Sequence, residues 1–403
     1  RHVSQPTFPV YELARCVLSW SNMHMFREGF FECCNPLSLG EPEFLAQDHH
    51  ISSRSATNLF QRQSGGLNLY FQKWQSDRHD HVRAVVFVHH GEMEHCMWYN
   101  GLAVRLAHVG CTTFVPDAQG FGQSDGARGY FERFEDLVSD FVEFAKKKWI
   151  TILEKQSKGQ GGRPPGLVFI GKGFGALVVM HALIELHPLV CEWGVVPTVV
   201  LVAPAFQFSS YIGDQSGAGC GLPTSGQCAR QPAAQCARVP AAAVPATVAF
   251  APGEDGPTQK LEHMSRWFPK MIITQPVDPE MVSRDPQVVD RMNRDCLCWH
   301  SGYRARVLAE LAHEMADLAE NINLHAEVFA RVPALILHGS ADGLFAIAGS
   351  HSIHSVWCDA AQRSGQYPRL KIYDGAYHQL LNEPNKEEVI NDIVMFVASK
   401  ALH

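Results

Sequence analysis

The stretch from Gly166 to Met180 constrains this chain most. It reads Gly-Leu-Val-Phe-Ile-Gly-Lys-Gly-Phe-Gly-Ala-Leu-Val-Val-Met. Leu167 to Ile170 form a short, continuously apolar run, as a strand buried on both faces requires. Gly171-Lys172-Gly173-Phe174-Gly175 is dense enough in glycine for a tight turn. Apolar residues then recur at helical spacing from Ala176 to Leu186. Strand, sharp turn and helix in this order match the layout of a G-x-S-x-G nucleophile elbow, whose strained turn lifts a serine hydroxyl above a sheet. The residue at the serine position is Gly173.

Around this stretch the pattern alternates. Ala84 to Val88, Cys111 to Val115, Thr198 to Val202, Ala334 to Leu337 and Leu370 to Tyr373 read as strands, Ala84 to Val88 as a buried one. Helices are predicted over Tyr99 to Val109, Phe134 to Trp149 and Glu387 to Ser399. The triple lysine Lys146 to Lys148 would then complement a helix C-terminus. Such alternation predicts a mostly parallel, doubly wound sheet of about eight strands. A hairpin over Asn58 to Phe71, turning at Ser64-Gly65-Gly66, would supply an antiparallel edge.

Residues 206–330 interrupt the alternation between the elbow and the last strands. Gly213 to Pro257 is rich in Ala, Pro, Gly, Gln and Cys. It carries a short imperfect repeat, starting at Cys228 and again at Cys236. With so few aliphatic residues it is expected to be a disordered insertion. Leu261, Met264, Trp267, Phe268 and Met271, and then Arg304 to Ala330, have helical spacing and predict a cap over the sheet. The expected organisation is an N-terminal arm (1–57), a core (58–205 and 331–403) and a cap (206–330). Within the arm, Val10 to Trp20 could form an amphipathic helix. Phe30 to Cys34 could touch a membrane or carry an acyl chain at Cys33 or Cys34.

The net charge of −7 comes with no basic stripe, which argues against nucleic acid as a partner. No run of 18 apolar residues occurs, so no transmembrane helix is read from the sequence. Twelve cysteines in 403 residues do not make a disulfide scaffold, and mostly reduced thiols in a cytoplasmic or membrane-apposed protein are expected. The sequence begins at Arg1, so the true N-terminus and any targeting signal are expected to lie outside it.

Where this elbow occurs, the acid and then the histidine follow the nucleophile in the chain, each at the carboxyl end of a strand. Asp342 and His378 meet that description. Taken singly, a post-strand aspartate can cap a helix and a histidine can be structural. In the right order, each after a strand and both downstream of the elbow, they point to a catalytic pair. An oxyanion hole would use the Phe174 N–H and an amide near Glu92. The loop His89-His90-Gly91-Glu92-Met93-Glu94-His95 holds many metal-ligand side chains, but on one tight loop without a distant partner set, so no metal is expected. His313-Glu314-Met-Ala-Asp317 ends in aspartate and departs from H-E-x-x-H.

On these motifs the chain resembles the monoacylglycerol lipase and lysophospholipase group of α/β-hydrolases, whose shared domain is called serine aminopeptidase S33. The H-G-x-G-E-H loop of that group is matched by His90 to His95, and its D-x-x-G-x-G-x-S-x-G segment by Asp117 to Gly126. The acid context G-S-A-D-x-L is matched by Gly339 to Leu344, and the histidine context K-I-Y-x-G-A-Y-H by Lys371 to His378. The cap segment Ser283 to Asp290 also looks like the group. The resemblance covers roughly residues 58–400 apart from 213–257. It implies an α/β-hydrolase fold with a helical cap between elbow and acid. It also implies a small lipid ester or fatty-acyl ligand in an apolar pocket under the cap, no cofactor, and peripheral membrane contact through the cap or the arm.

The departures cluster at the elbow. Where the group has G-H-S-M-G, this chain has Gly171-Lys172-Gly173-Phe174-Gly175, and Met93 stands at the second small position of the H-G-x-G loop. Glu92 brings a carboxylate beside the oxyanion position. Gly173 would be an engineered inactivation, a sequence variant or a natural departure, and the accompanying changes favour the last. Removing the nucleophile of such a triad costs on the order of 10⁶ in kcat. The chain is thus expected to be either an ester hydrolase with weak or absent turnover or a catalytically silent lipid-binding or scaffold protein. A peptidase or other acyl hydrolase is a third reading.

Overall fold

A computed structural model describes residues 51–53, 59–61, 66–76, 81–157, 164–209 and 257–402. The expected arm helix, the Phe30 to Cys34 stretch and residues 213–256 of the expected insertion lie outside them.

Eight strands form one sheet path. In chain order they are β1 (Ile51–Ser53), β3 (Asn68–Ser76), β4 (Ala84–His89), β5 (Cys111–Pro116), β6 (Gly166–Lys172), β7 (Thr198–Val202), β8 (Ala334–Gly339) and β9 (Arg369–Tyr373). Their spatial order is β1-β3-β5-β4-β6-β7-β8-β9, with β2 (Leu59–Gln61) paired to β3 off that path. From β5 to β9 every neighbouring pair is parallel. The β1–β3, β2–β3 and β3–β5 pairs are antiparallel. The hairpin register sets Leu59 against Tyr70 and Gln61 against Asn68. β1 was not foreseen, because three residues are too few to show a period.

β4, β5, β7 and β8 are buried at every position, as helices on both faces of a parallel sheet require. A fully buried Val, Leu, Ile or Phe contributes roughly 1.5–3 kcal/mol. A cluster of rings fills one face: Phe87 stacks on Phe114 and Phe169, and Phe144 meets Phe71 and Phe87 edge-on. The helices that flank and close the sheet are α1 (Asn100–His108), α2 (Phe134–Ser157) and α3 (Phe174–Glu192). α3 is long and apolar enough to cross a membrane by length and composition, yet most of it is buried against β6 and α2 as a core helix.

α2 corrects one expectation. It runs to Ser157, so Lys146 to Lys148 lie within it rather than at its C-terminus, and the dipole argument does not apply to them. Lys147 and Lys148 cover aromatic rings instead: the Lys148 ammonium sits 4.0 Å from the Phe71 ring centroid, and Lys147 lies over Phe60. Burial, with the neighbouring Lys147 and Lys73, pulls the Lys148 pKa down to about 8.

The cap lies between β7 and β8. Its described helices are α4 (Pro257–Trp267), α5 (Pro286–Arg294), α6 (Ala305–Leu324) and the short α7 (Ala326–Phe329). Asp285 caps α5 by accepting from the Gln287 N–H, and Pro286 suits its first turn. The Arg304 to Ala330 pattern is broken at His325, which separates α6 from α7. After β8 come α8 (Ile347–Ala361) and, after β9, α9 (Lys386–Ala401). Among the described cysteines, Cys96, Cys111, Cys191, Cys298 and Cys358 are free thiols and Cys296 is disulfide-bonded.

Candidate active site

The elbow is present in full backbone detail. β6 ends at Lys172, Gly173 takes φ 52° and ψ −127°, and α3 begins at Phe174. A positive φ is costly for any residue with a Cβ, so glycine is the unstrained choice here. Its carbonyl accepts from Ala176 and Ala205, and its N–H donates to Val202.

The space above Gly173 is taken by Glu92. A Cβ built on Gly173 would lie 2.8 Å from both Cδ and Oε1 of Glu92, and closer still to Oε2. Oε2 also accepts a 3.0 Å hydrogen bond from the Phe174 N–H. That amide is the expected oxyanion donor, so a side-chain carboxylate fills both the serine position and one half of the oxyanion hole. Sequence reasoning placed Glu92 beside the hole. In the structure its carboxylate takes the hydrogen bond of the Phe174 amide expected to serve that hole. Burial pushes the Glu92 carboxyl pKa up, while His378, Lys172 and the Phe174 amide favour its charge.

His378 and Asp342 meet as the sequence order implies. The ring Nδ1 of His378 lies 2.9 Å from Asp342 Oδ2. Burial opposes the charge on Asp342, but His378 and His338 outweigh it and hold its carboxyl far below the usual range. The ionised carboxylate can only accept, so Nδ1 donates and Nε2 is the free nitrogen. Nε2 lies 3.5 Å from Glu92 Oε1. Asp342 Oδ1 accepts from the Leu344 and Phe345 N–H groups, and His338 stands 3.3 Å from Oδ2. His338 was missed from the sequence. Its place at the end of β8, four residues before the acid, was the available signal.

A second buried cluster sits beneath the elbow. Lys172 replaces the elbow's usual histidine, and its ammonium reaches Glu94 Oε2 at 3.2 Å, with both side chains 1% exposed. Glu94 also accepts from the Gly91 N–H at 2.9 Å, from the Gln379 amide at 2.9 Å, and from the Tyr99 hydroxyl. Burial alone would raise its pKa. Lys172 and these donors overcome that and hold it at about 2. The residue before Gly173 thus ties the elbow to the loop after β4.

The other motif residues build the frame. His90 Nε2 accepts from the Ala118 N–H at 2.8 Å, so its Nδ1 carries the proton donated to the Gly91 carbonyl. Asp117 accepts from the Cys96 and Gln123 N–H groups, and a Cβ on Gly122, at φ 50°, would stand 2.8 Å from its Oδ1. The Ser124 hydroxyl donates to the Asp117 carbonyl and accepts from the Tyr70 N–H. Two buried groups, His95-Asp295-Cys298 and His95-Cys96-Asp117, have metal-ligand chemistry within reach of one another. Their carboxylates are already engaged: Asp295 accepts from His95 and the Leu297 N–H, and Asp117 from two amides. They pin the loop to the cap. His313 is exposed on α6 and pairs with Asp317.

The cap closes over the site. A cavity beside Glu92 is lined by Phe121, Phe174, Val277, Trp299, Tyr303 and Val307, with Met93 and Gly129. The lining is apolar, as the resemblance implied, but its size is not that of an acyl pocket. The space between its lining atoms is ≈ 340 Å³, counting the part open to solvent, and only ≈ 20 Å³ of it admits the centre of a water. That is room for one or two waters. Trp299 fills the rest, its ring so close over Gly129 that a Cβ there would collide.

A family model described as serine aminopeptidase, S33 matches residues 80–385. The chain belongs to that family as a monoacylglycerol lipase-like α/β-hydrolase. This S33 hydrolase is 24% identical over 347 residues to the monoacylglycerol lipase of Mycolicibacterium smegmatis, covering 83% of the chain and 94% of the relative. It is 24% identical to the human monoglyceride lipase, covering 79% and 83%. Among solved structures it shares its fold with a soluble variant of the Saccharomyces cerevisiae monoglyceride lipase in complex with a substrate analog. There the TM-score is 0.62 at 15% identity, covering 87% of this chain and 98% of that one. The Paleococcus ferrophilus monoacylglycerol lipase aligns with a TM-score of 0.54 at 21% identity, covering 83% and 99%.

Proposed function

We propose that this S33 hydrolase does not turn over carboxylic esters by the serine route, and that it binds a neutral lipid ester of the monoacylglycerol class only with the cap displaced from the position described, in which the cavity has room for one or two waters. The observation that carries this is the Glu92 carboxylate, which overlaps the Gly173 side-chain position and accepts from the Phe174 N–H. Ester hydrolysis needs a nucleophile at that position and a free donor for the developing oxyanion. Here position 173 carries no side chain and a donor is taken by the Glu92 carboxyl. Peptide and thioester hydrolysis need the same two features and are closed with it. The relatives named monoacylglycerol or monoglyceride lipase support that ligand class.

The test is an ester assay on a short-chain aryl ester and a monoacylglycerol, run on four proteins: the chain itself, Gly173→Ser, Glu92→Gly, and the double variant. Turnover is expected in the double variant and in no other. Turnover by the unaltered chain would sink the reading. Equilibrium binding of a non-hydrolysable monoacylglycerol ether to the unaltered chain tests the second half, and absence of saturable binding would remove it.

A further inference from the structure

Lys146, Lys147 and Lys148 are the chain's run of three lysines, and none of them belongs to the candidate active site. Lys148 is half-buried. Its Nζ lies 4.0 Å from the Phe71 ring centroid and 5.5 Å from that of Phe144. Phe144 is one turn back on the same face of α2. Lys155 is two turns further on, again on that face. On β3, Phe71 and Lys73 are two residues apart and project to the same side of the strand. Lys147 and Lys73 lie over the Phe60 and Phe114 rings.

Four lysines from two elements thus gather on a bed of aromatic rings. Among the described residues, the Lys148 ammonium meets ring faces and no carboxylate. A half-buried cation among like charges, with no counter-charge, is an unfavourable arrangement. The ring faces attract a cation. Burial, and then Lys147, Lys73 and Lys155, outweigh that attraction and bring the Lys148 pKa to about 8. At pH 7 roughly a tenth of such an amine is neutral, against fewer than about one in a thousand for an ordinary lysine.

We propose that Lys148 is a modification site for carbon dioxide, which it holds as a carbamate among Lys73, Lys147 and Lys155.

The neutral amine attacks the carbon of CO₂ with its lone pair. The Nζ–C bond forms, one C=O π pair moves onto oxygen, and the nitrogen gives up a proton to water. The products are the carbamate, R–NH–COO⁻, and one proton. Nothing is oxidised or reduced, and no carrier or leaving group takes part. The charge at position 148 changes from positive to negative. The new anion sits among three cations, so the cluster that disfavours the ammonium stabilises the carbamate. Carbon dioxide is small and apolar, and it reaches a half-buried amine along ring faces without the dehydration cost that a charged reagent meets.

This inference does not rest on Gly173, Glu92 or the position of the cap. The whole chain is equilibrated with ¹³CO₂ near neutral pH. Carbamates are fixed as ethyl esters with triethyloxonium ion, and the digest is read by mass spectrometry. Thermal melting checks the folding of each variant. The peptide with Lys148 should carry one ¹³C-labelled ethoxycarbonyl group, at an occupancy at least about tenfold above that at the exposed Lys260 and Lys270. Lys148→Arg keeps the positive charge but offers no amine that can become neutral, and should lose the label. Lys147→Gln/Lys155→Gln keeps Lys148 and removes two of the three cations, so labelling at Lys148 should fall severalfold. A folded, unaltered chain without label at Lys148 overturns the inference. So does equal label at Lys148, Lys260 and Lys270, or label in the double variant equal to that in the unaltered chain.

Discussion

At position 173 two separate penalties fall on any residue larger than glycine. The backbone sits at φ 52°, where a Cβ costs about 1–3 kcal/mol. The Glu92 carboxylate occupies the side-chain volume. Gly173→Ser is therefore expected to lower the unfolding midpoint, and more than the backbone penalty alone. The two contributions separate in a double-mutant cycle with Glu92→Gly, because the overlap is absent in the double variant while the φ penalty remains. Additive melting shifts would show that the carboxylate does not oppose the serine. Lys172 and Glu94 set a second residue-scale expectation. The Glu94 carboxyl is held at about 2, below its unfolded value of 4.5. A depressed folded pKa gives stability that is present above the unfolded pKa and lost as pH falls through the folded one. The loss from this group should run from about pH 4.5 down to about 2, on the order of 3 kcal/mol in full. Denaturant midpoints measured across that range should fall less steeply for Glu94→Gln than for the unaltered chain. Equal slopes would show that Glu94 does not titrate as described. Glu92 acts in the opposite sense: its raised pKa stabilises the fold at low pH and that contribution is lost as pH rises through the folded value.

At the scale of elements, the sequence motifs proved to be mostly joints. Asp117, Gly122 and Ser124 bind the turn after β5 to the loop before α1 and to β3. Gly122→Ala should destabilise by more than the φ penalty of about 1–3 kcal/mol, since its Cβ would displace the Asp117 carboxylate from the Cys96 and Gln123 amides. Urea unfolding checks this, and a midpoint unchanged from the unaltered chain would argue that the turn is adaptable. The six parallel strands were legible because each is a short run dominated by apolar residues and four of them are followed by a helical period, which leaves few alternatives. The order of Asp342 and His378 was legible because each follows such a run directly. Helix ends were less so: α2 extends through Thr151, Glu154 and Lys155, polar positions with no period against the core. What the sequence could not carry was the direction of side chains. Glu92 beside the hole and Glu92 inside it are the same letter. The small cavity was equally hidden, because it depends on how far Trp299 reaches over Gly129.

For the whole molecule, the cap decides what the site meets. Trp267, Phe268, Met271 and Ile272 are 71%, 61%, 41% and 44% exposed, and they lie together at the end of α4 and in the turn after it. Other large exposed apolar residues, such as Val196, Tyr367 and Met395, are separate in the chain. Isolated apolar side chains on a surface need no explanation, whereas a run of four does. Arg266 precedes the run and Lys270 lies within it, both exposed, so an aromatic edge with two cations faces outward from the cap. That is the chemistry of an interfacial anchor: rings enter the acyl boundary and the cations stay at headgroup depth. We propose that the cap rests on a lipid surface through this turn, which would bring a membrane-dissolved glyceride to the edge of the site. Burying a Trp and a Phe contributes roughly 1.5–3 kcal/mol each. The double variant Trp267→Ser/Phe268→Ser should thus lower partitioning onto phosphatidylcholine vesicles by tenfold or more, while Met395→Ser on α9 should leave it unchanged. Vesicle sedimentation measures both. Equal loss in the two variants would mean general surface apolarity rather than a docking turn, and no loss in either would remove the cap from membrane contact.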